Sequence, residues 1–377
     1  MKQPVIVFAG GGTAGHVNPL LSTVAALRAT GLDFHPLVLG TKEGLESELV
    51  PAAGLELATI PRLPVPRQPS SDLVTLPLRL RRTVKDLESL FSQREVTALV
   101  GFGGYVSAPG YLAAHHLKIP FLVHEQNARP GMANRLGARW AKAVALTFPE
   151  TPLRSRRGKT EVTGLPLRPA MLELASRLAT TEGRLAARAA AAQFFGLSPD
   201  KPTVLVTGGS LGAVFLNQTL PTALAQVSGN FPDLQVVHLT GKDKDKPVKQ
   251  FVSEAGLQQN YKVLDYLSEM HHALALADAV VCRAGAATVA ENSALGLPAL
   301  YVPLPVGNGE QSLNALSVVE SGGAFLLNQK KAKPTEVAVF IERMLDPAKN
   351  PEMRQAAASA GTTKGAANLA KLIQEVL

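Results

Sequence analysis

The chain has 377 residues, more than one hydrophobic core ordinarily organises, so two domains are expected. Its composition, 46% hydrophobic with 18% charged residues, is that of a soluble globular protein, and no apolar run approaches the roughly 20 residues a bilayer-spanning helix needs. The formal net charge of +8 favours anionic partners, but no zinc spacing, aromatic–basic motif or lysine-rich tail accompanies it, which argues against nucleic acid.

In chain order, the first four residues lead into a strand without the pattern of a signal peptide. Strand-like apolar runs at 5–9, 34–39, 98–100, 121–124 and 143–146 then alternate with helical stretches such as 19–30 and 41–53. This alternation predicts a parallel, doubly wound α/β sheet. The proline-punctuated segment Gly164-Leu165-Pro166-Leu167-Arg168-Pro169 suits an interdomain hinge. An Ala/Arg-rich helical stretch at about 170–195 follows it. The strand pattern then restarts at 203–207 and continues at 235–240, 261–264, 279–282, 299–302 and 324–327. Residues 351–377 are helical in composition and able to pack back across either domain. Two Rossmann-like domains with parallel sheets facing across a cleft are therefore expected, at 1–165 and 166–349. The single cysteine, Cys282, excludes an intramolecular disulfide, fits a reducing compartment, and sits in a strand-like run that reads as an inert packed thiol.

A glycine turn of one kind occurs twice, Gly10-Gly11-Gly12-Thr13-Ala14-Gly15 and Gly208-Gly209-Ser210-Leu211-Gly212, each where a buried strand should give way to a helix. Glycine lets backbone approach a ligand closely, and a new helix N-terminus offers free N–H groups to an anion. Neither turn has the acidic residue about 20 positions on that a dinucleotide site uses for its ribose, and neither has the lysine of an ATP-hydrolysing loop. His16 follows the first turn, where an imidazole could take a proton from a hydroxyl beside a bound phosphate; a helix-capping role is the plainer alternative.

Gly101-Phe102-Gly103-Gly104-Tyr105 forms a further glycine turn, and with the first could make an anion pocket wide enough for a diphosphate. His124-Glu125-Gln126-Asn127 closes a strand at the expected carboxyl edge of the sheet, with Asn127 the best ligand candidate. Arg283-Ala284-Gly285-Ala286 again opens a helix; Glu291, one turn in, could accept bonds from both hydroxyls of a ribose. Gln311 and Asn314 stand three apart on one predicted helix face, as sugar recognition would require. Residues 73–91 place Leu73, Leu76, Leu80, Leu87 and Phe91 among Arg79, Arg81, Arg82 and Lys85. That pattern fits a helix lying on an anionic membrane as well as one packing its leucines inward.

The segments GGTAGHVNP, GFGGYVS, HEQN, GGSLGA, CRAGAATVAE and EQSLNA, spread over about residues 10–314, resemble the MurG family in order and spacing. These are the N-acetylglucosaminyltransferases that convert lipid I to lipid II in peptidoglycan synthesis. The resemblance implies a GT-B fold, no metal and no cofactor. It implies UDP-N-acetylglucosamine as donor, near Thr13, Ala14, Gly15, Asn127, Arg168, Ser210, Leu267, Ala286, Ala287, Thr288, Val289, Ala290, Glu291, Gln311 and Asn314. It implies lipid I as the undecaprenyl-linked acceptor, whose diphosphate Gly12, Gly103, Gly104 and Tyr105 would receive, with His16 the candidate base. The chain would then work peripherally on the cytoplasmic face of the membrane, beside cell-wall or division machinery, and the 73–91 stripe becomes a docking face. Two positions depart from the family pattern, Leu165 where asparagine is common and Glu310 where a glutamine pair is usual. The competing readings are a sugar-nucleotide 2-epimerase, a GT-B transferase with another lipid acceptor, and a non-catalytic sugar-nucleotide-binding scaffold.

Overall fold

The computed structural model describes residues 3–63, 71–209, 211–306 and 308–377, and these form two compact units, 1–168 with 364–377 and 169–363. The first contains β1 (Val5–Ala9), α1 (Ala14–Ala29), β2 (His35–Gly40), α2 (Glu46–Ala52), β3 (Glu56–Thr59), α3 (Ser71–Gln93), β4 (Val96–Gly101), α4 (Gly104–His116), β5 (Phe121–Glu125), α5 (Met132–Gly137), β6 (Ala143–Leu146) and β7 (Lys159–Val162). Its seven strands are all parallel in the order β3-β2-β1-β4-β5-β6-β7.

Successive residues of a strand face opposite sides of its sheet, so each buried strand feeds two cores. Ile6 and Phe8 of β1 pack with Val17, Leu20, Val24 and Leu27 of α1, whereas Val7 and Ala9 pack on the other side with Val84, Leu87 and Phe91 of α3 and Val106 of α4.

The second unit contains α6 (Pro169–Leu178), α7 (Thr181–Phe195), β8 (Thr203–Thr207), α8 (Val214–Asn230), β9 (Gln235–Leu239), α9 (Lys246–Glu254), β10 (Tyr261–Leu264), α10 (Met270–Leu276), β11 (Ala279–Cys282), α11 (Ala286–Ala294), β12 (Ala299–Tyr301), α12 (Glu310–Asn314), α13 (Leu316–Glu320), β13 (Ala324–Leu326), α14 (Pro334–Leu345) and α15 (Asn350–Ala360). Its six strands are parallel in the order β10-β9-β8-β11-β12-β13. In both sheets the order reverses beside the first strand, between β1 and β4 and between β8 and β11. Open α/β sheets take their ligands at such a point, outside the carboxyl ends of the strands.

The expected helical tail divides. α15 stays with the second unit, where Met353 joins that unit's core, while α16 (Gly365–Gln374) packs on α1 of the first. A ten-residue helix is marginal alone, but Leu369, Leu372 and Ile373 of α16 are buried at 1% exposure or less. Burial contributes about 1.5–3 kcal/mol for each such side chain, enough to hold the helix in place. The unit boundary falls at Arg168/Pro169, a few residues beyond the expected 165, because Leu165 and Leu167 are buried within the first unit. The Ala/Arg-rich stretch is broken after α6, where Thr180 caps α7 by accepting from the Gly183 N–H at 3.1 Å.

The 73–91 stripe is corrected in most of its length. Leu87 and Phe91 are 2% and 1% exposed and Leu80 packs against the same core, so these side chains hold α3 to its sheet and are not free to enter a membrane. The Leu73 side chain lies outside the described residues. The outward face instead carries Leu78, Arg81, Arg82 and Lys85, all exposed. Among the described residues no helix is long and apolar enough to cross a membrane.

Candidate functional site

In the first unit the two glycine turns leave the adjacent strands β1 and β4, so both lie at the switch point. They are built against each other. A Cβ on Gly104 would meet the Gly11 carbonyl oxygen at 2.9 Å, and one on Gly10 would meet Phe102 Cβ at 3.0 Å. Gly12, Gly103 and Gly104 hold φ of 87°, 90° and 75°, a region that side-chain-bearing residues rarely enter. α1 begins at Ala14 with Thr13 in extended conformation before it and no acidic residue in its first turn. The N–H groups of His16 and Val17 donate to the Thr13 carbonyl at 3.0 and 3.2 Å, and the amides ahead of them lie before the first helical bond, which favours an anion there.

His16 sits in that first turn, half-buried, with Nδ1 3.0 Å from Thr13 Oγ1 and Nε2 turned towards Gly103. When Nδ1 carries the hydrogen and donates it to Thr13, Nε2 is left as the proton acceptor. Burial lowers the affinity of His16 for a proton; the charge of Glu46 and the Gly11 carbonyl oppose this without reversing it. The imidazole is thus neutral at physiological pH, as a general base must be.

Glu46 itself was invisible in the sequence as a site residue. The expected helix at 41–53 begins only at Glu46, because residues 41–45 form a loop around the carboxylate of that residue. Glu46 is 0% exposed and accepts from the N–H of Gly12 at 2.9 Å and from the N–H and Oγ1 of Thr41 at 2.9 and 2.8 Å. These bonds hold it below the usual carboxylate range against the desolvation that pushes the other way. Gly12 therefore has its amide committed. The Gly103 N–H is likewise donated to Ser107 Oγ at 3.0 Å, so these two residues shape the turns while the next amides, from Gly104 and Tyr105, open α4. Tyr105 stands over Gly12, and the Arg62 guanidinium lies 5.6 Å from the centre of its ring, a cation that sequence reading missed.

His124 and Glu125 of the HEQN segment point into the fold. Burial pushes His124 down to about 4, and its Nε2 faces the Gly164 carbonyl oxygen at 3.3 Å. Glu125 accepts from the N–H groups of Asn127 and Gly131 at 3.0 Å each and from Asn134 Nδ2 at 2.9 Å. Asn134 also accepts from Tyr111 Oη at 2.8 Å. This network fixes the half-buried Asn127 at the carboxyl end of β5.

In the second unit Gly208–Gly212 leaves β8 and Arg283–Gly285 leaves β11, again neighbours at the switch point. Gly209 and Gly212 hold φ of 84° and 67°, and Gly212 packs backbone to backbone on Gly241. Ser210 lies outside the described residues. Arg283 is buried and braces the neighbouring strand, donating from Nη1 to the carbonyls of Val302 and Pro303 at 2.8 and 3.1 Å. α11 opens with the small residues Ala286 and Ala287, then Thr288, all half-buried, with Ala290 and Glu291 also partly accessible; Val289 is in the interior at 2%.

Gln311 accepts from the Leu304 N–H at 2.9 Å, whereas Asn314 is 1% exposed and donates to the Ala284 carbonyl at 3.1 Å, bracing the loop before α11 from beneath. Leu267 borders a groove of about 690 Å³ with Phe194, Tyr261 and Tyr266. The half-buried Arg168 ends the first unit. Cys282 is fully buried and its thiol is pushed up to about 12, an inert packing group. Among the described residues Glu269, His271 and His272 bring three ligand atoms within 4.8 Å of one another, but Glu269 is exposed and His272 is stacked on Phe194 at 4.5 Å.

Two units with parallel sheets, each with glycine turns at its switch point, make up a GT-B fold. The N-terminal domain of glycosyltransferase family 28 matches residues 6–146 and its C-terminal domain residues 203–373. A curated relative from Leifsonia xyli subsp. xyli is 46% identical across 98% of this chain and 97% of its own length, and one from Clavibacter sepedonicus is 45% identical across 99% and 96%. Both are named UDP-N-acetylglucosamine–N-acetylmuramyl-(pentapeptide) pyrophosphoryl-undecaprenol N-acetylglucosamine transferase. The crystal structure of Acinetobacter baumannii MurG superposes with a TM-score of 0.79 at 29% identity, covering 99% of this chain and all of that one. The chain belongs to the MurG family of glycosyltransferases.

Proposed function

We propose that the protein transfers N-acetylglucosamine from UDP-N-acetylglucosamine to the 4-hydroxyl of the N-acetylmuramoyl unit of lipid I, giving lipid II. The observation that carries the reading is a half-buried histidine in the first turn of α1, 3.0 Å from Thr13 Oγ1 and set against two glycine turns, in a chain of this family. In a single displacement the 4-oxygen attacks the anomeric carbon, its proton passes to His16 Nε2, and UDP leaves with the bonding pair. One displacement inverts configuration, so an α-linked donor gives a β-1,4 product.

The N-terminus of α11 and Glu291 suit the diphosphate and ribose of the donor, and Gln311 its sugar. The acceptor diphosphate is assigned to the amides that open α1 and α4, together with Arg62; Gly12 and Gly103 serve there by their positive φ. An acceptor anchored in a lipid leaflet requires the enzyme to meet the membrane, and the exposed Leu78, Arg81, Arg82 and Lys85 of α3 fit that role on the cytoplasmic side.

Replacing His16 by Ala tests the mechanism. Turnover with a lipid I analogue is expected to fall by roughly 10²–10⁴-fold with UDP affinity retained, as loss of a general base does. Near-normal turnover would remove His16 from the chemistry.

A further inference from the structure

One buried carboxylate is left over by this account. Glu46 is enclosed by glycines: a Cβ on Gly11 would come within 2.5 Å of Glu46 Oε1, one on Gly40 within 2.5 Å of its Cγ, and one on Gly44 closer still to the carboxylate. Gly11, which the sequence offers as room for a ligand, is small because Glu46 stands behind it. Among the described residues no cation pairs with Glu46; an unpaired carboxylate is an expensive group to bury, and an uncharged side chain of similar size would fill the same space. Its retention behind a turn suited to anions calls for a role that uses the charge.

We propose that Glu46 is a positioning residue for the transfer: it fixes the Gly10–Thr13 turn through the Gly12 amide and steadies His16 once that residue has taken the acceptor's proton. The bond to the Gly12 N–H sets the Gly11–Gly12 peptide, one residue ahead of Thr13, and Thr13 Oγ1 is the group that orients the His16 ring. A displacement of Glu46 thus reaches the imidazole through two short links. Electrostatics act along the same route. Among the described residues the charge acting on His16 is that of Glu46 on α2, which favours the imidazolium. On the other side the turn before α4 presents the uncharged Gly103 to the ring, and Tyr105 with Arg62 stands over Gly12. The arrangement resembles a base with its counter-charge, except that the carboxylate works at a distance and also holds the backbone.

This inference rests on the reading of His16 as the base, and its test separates the two. In the full-length protein with ring-labelled histidine, the His16 imidazole is titrated by NMR in the wild type and in Glu46→Gln, with His16→Ala supplying the assignment. Glutamine removes the charge and sets its amide nitrogen against a donor N–H. The expected result has three parts: a His16 titration moved to lower pH, a kcat/KM acidic limb moved with it, and a kcat lowered about tenfold or more with the Kd for UDP within twofold of wild type.

An unmoved titration, or turnover within twofold of wild type, would overturn the proposal. If Glu46→Gln is unfolded by circular dichroism, Glu46→Asp carries the test, since it keeps the charge but withdraws the carboxylate from Gly12. Lost turnover with UDP affinity retained is then expected, and wild-type turnover would overturn the proposal. Should His16→Ala keep its turnover, the base assignment fails, yet the titration still reports whether Glu46 acts on the ring.

Discussion

Replacing Gly212 by Ala probes the second unit's glycine turn at the point where the structure gives it least room. Gly212 holds φ of 67°, and an added Cβ would lie 2.7 Å from Gly241 Cα and from the Thr240 carbonyl carbon, and closer still to the Thr240 oxygen. All three are backbone atoms at the end of β9, so no rotamer change relieves the overlap. The positive φ costs alanine about 1 kcal/mol, and the overlap adds about 1–3 kcal/mol, for a total near 3 kcal/mol. For a domain of this size that corresponds to a fall in Tm of about 6–12 °C for the second unit. The loop must also lift away from β9, carrying the start of α8 with it.

Calorimetric titration with UDP should therefore show affinity reduced about tenfold or more. Gly209→Ala is the control: its φ is also positive, at 84°, but a Cβ there meets nothing within 4 Å, so only the conformational cost of about 1 kcal/mol is expected. If Gly212→Ala melts within a degree of wild type and binds UDP normally, the packing argument is wrong.

Acid should destabilise the fold through buried histidines. Burial holds His124 at about 4 and His238 at about 3, below the ordinary 6.5, so the unfolded chain binds protons that the fold refuses. Stability should fall as pH drops from about 6.5 towards those values, by about 3 kcal/mol for His124 alone, and urea midpoints unchanged between pH 7 and pH 4 would contradict this. Charge reversal at Arg81 and Arg82 together should weaken sedimentation with vesicles containing anionic lipid and raise the KM for vesicle-borne acceptor, leaving kcat with a soluble acceptor analogue unchanged. Equal vesicle binding by the variant would dissociate α3 from membrane docking.

Strands with a continuous apolar or β-branched run were legible, and β1, β6, β8, β10 and β11 fall on the residues expected. β3 and β7 were missed because their short runs mix charged or polar with apolar side chains and are partly or fully exposed, Glu56–Thr59 and Lys159–Val162. α1 starts five residues before the expected 19, since a glycine-rich opening carries no apolar periodicity. The motif segments at the switch points were likewise visible, as glycine turns following strands. What held them in place was not. Glu46 reaches Gly12 across 34 residues of chain, and Asn314 reaches Ala284 across 30, and a local pattern carries no trace of either bond. On α3 the apolar spacing was correct, but spacing alone does not say whether a stripe meets the sheet or a membrane.

The central claim is acceptor-dependent sugar transfer. The direct measurement incubates the protein with radiolabelled UDP-N-acetylglucosamine, with and without a lipid I analogue, and separates lipid from water-soluble products. The account predicts label in the lipid fraction, in a β-1,4 linkage, only when the acceptor is present. Conversion of the sugar nucleotide without acceptor, or no transfer with it, would contradict the account.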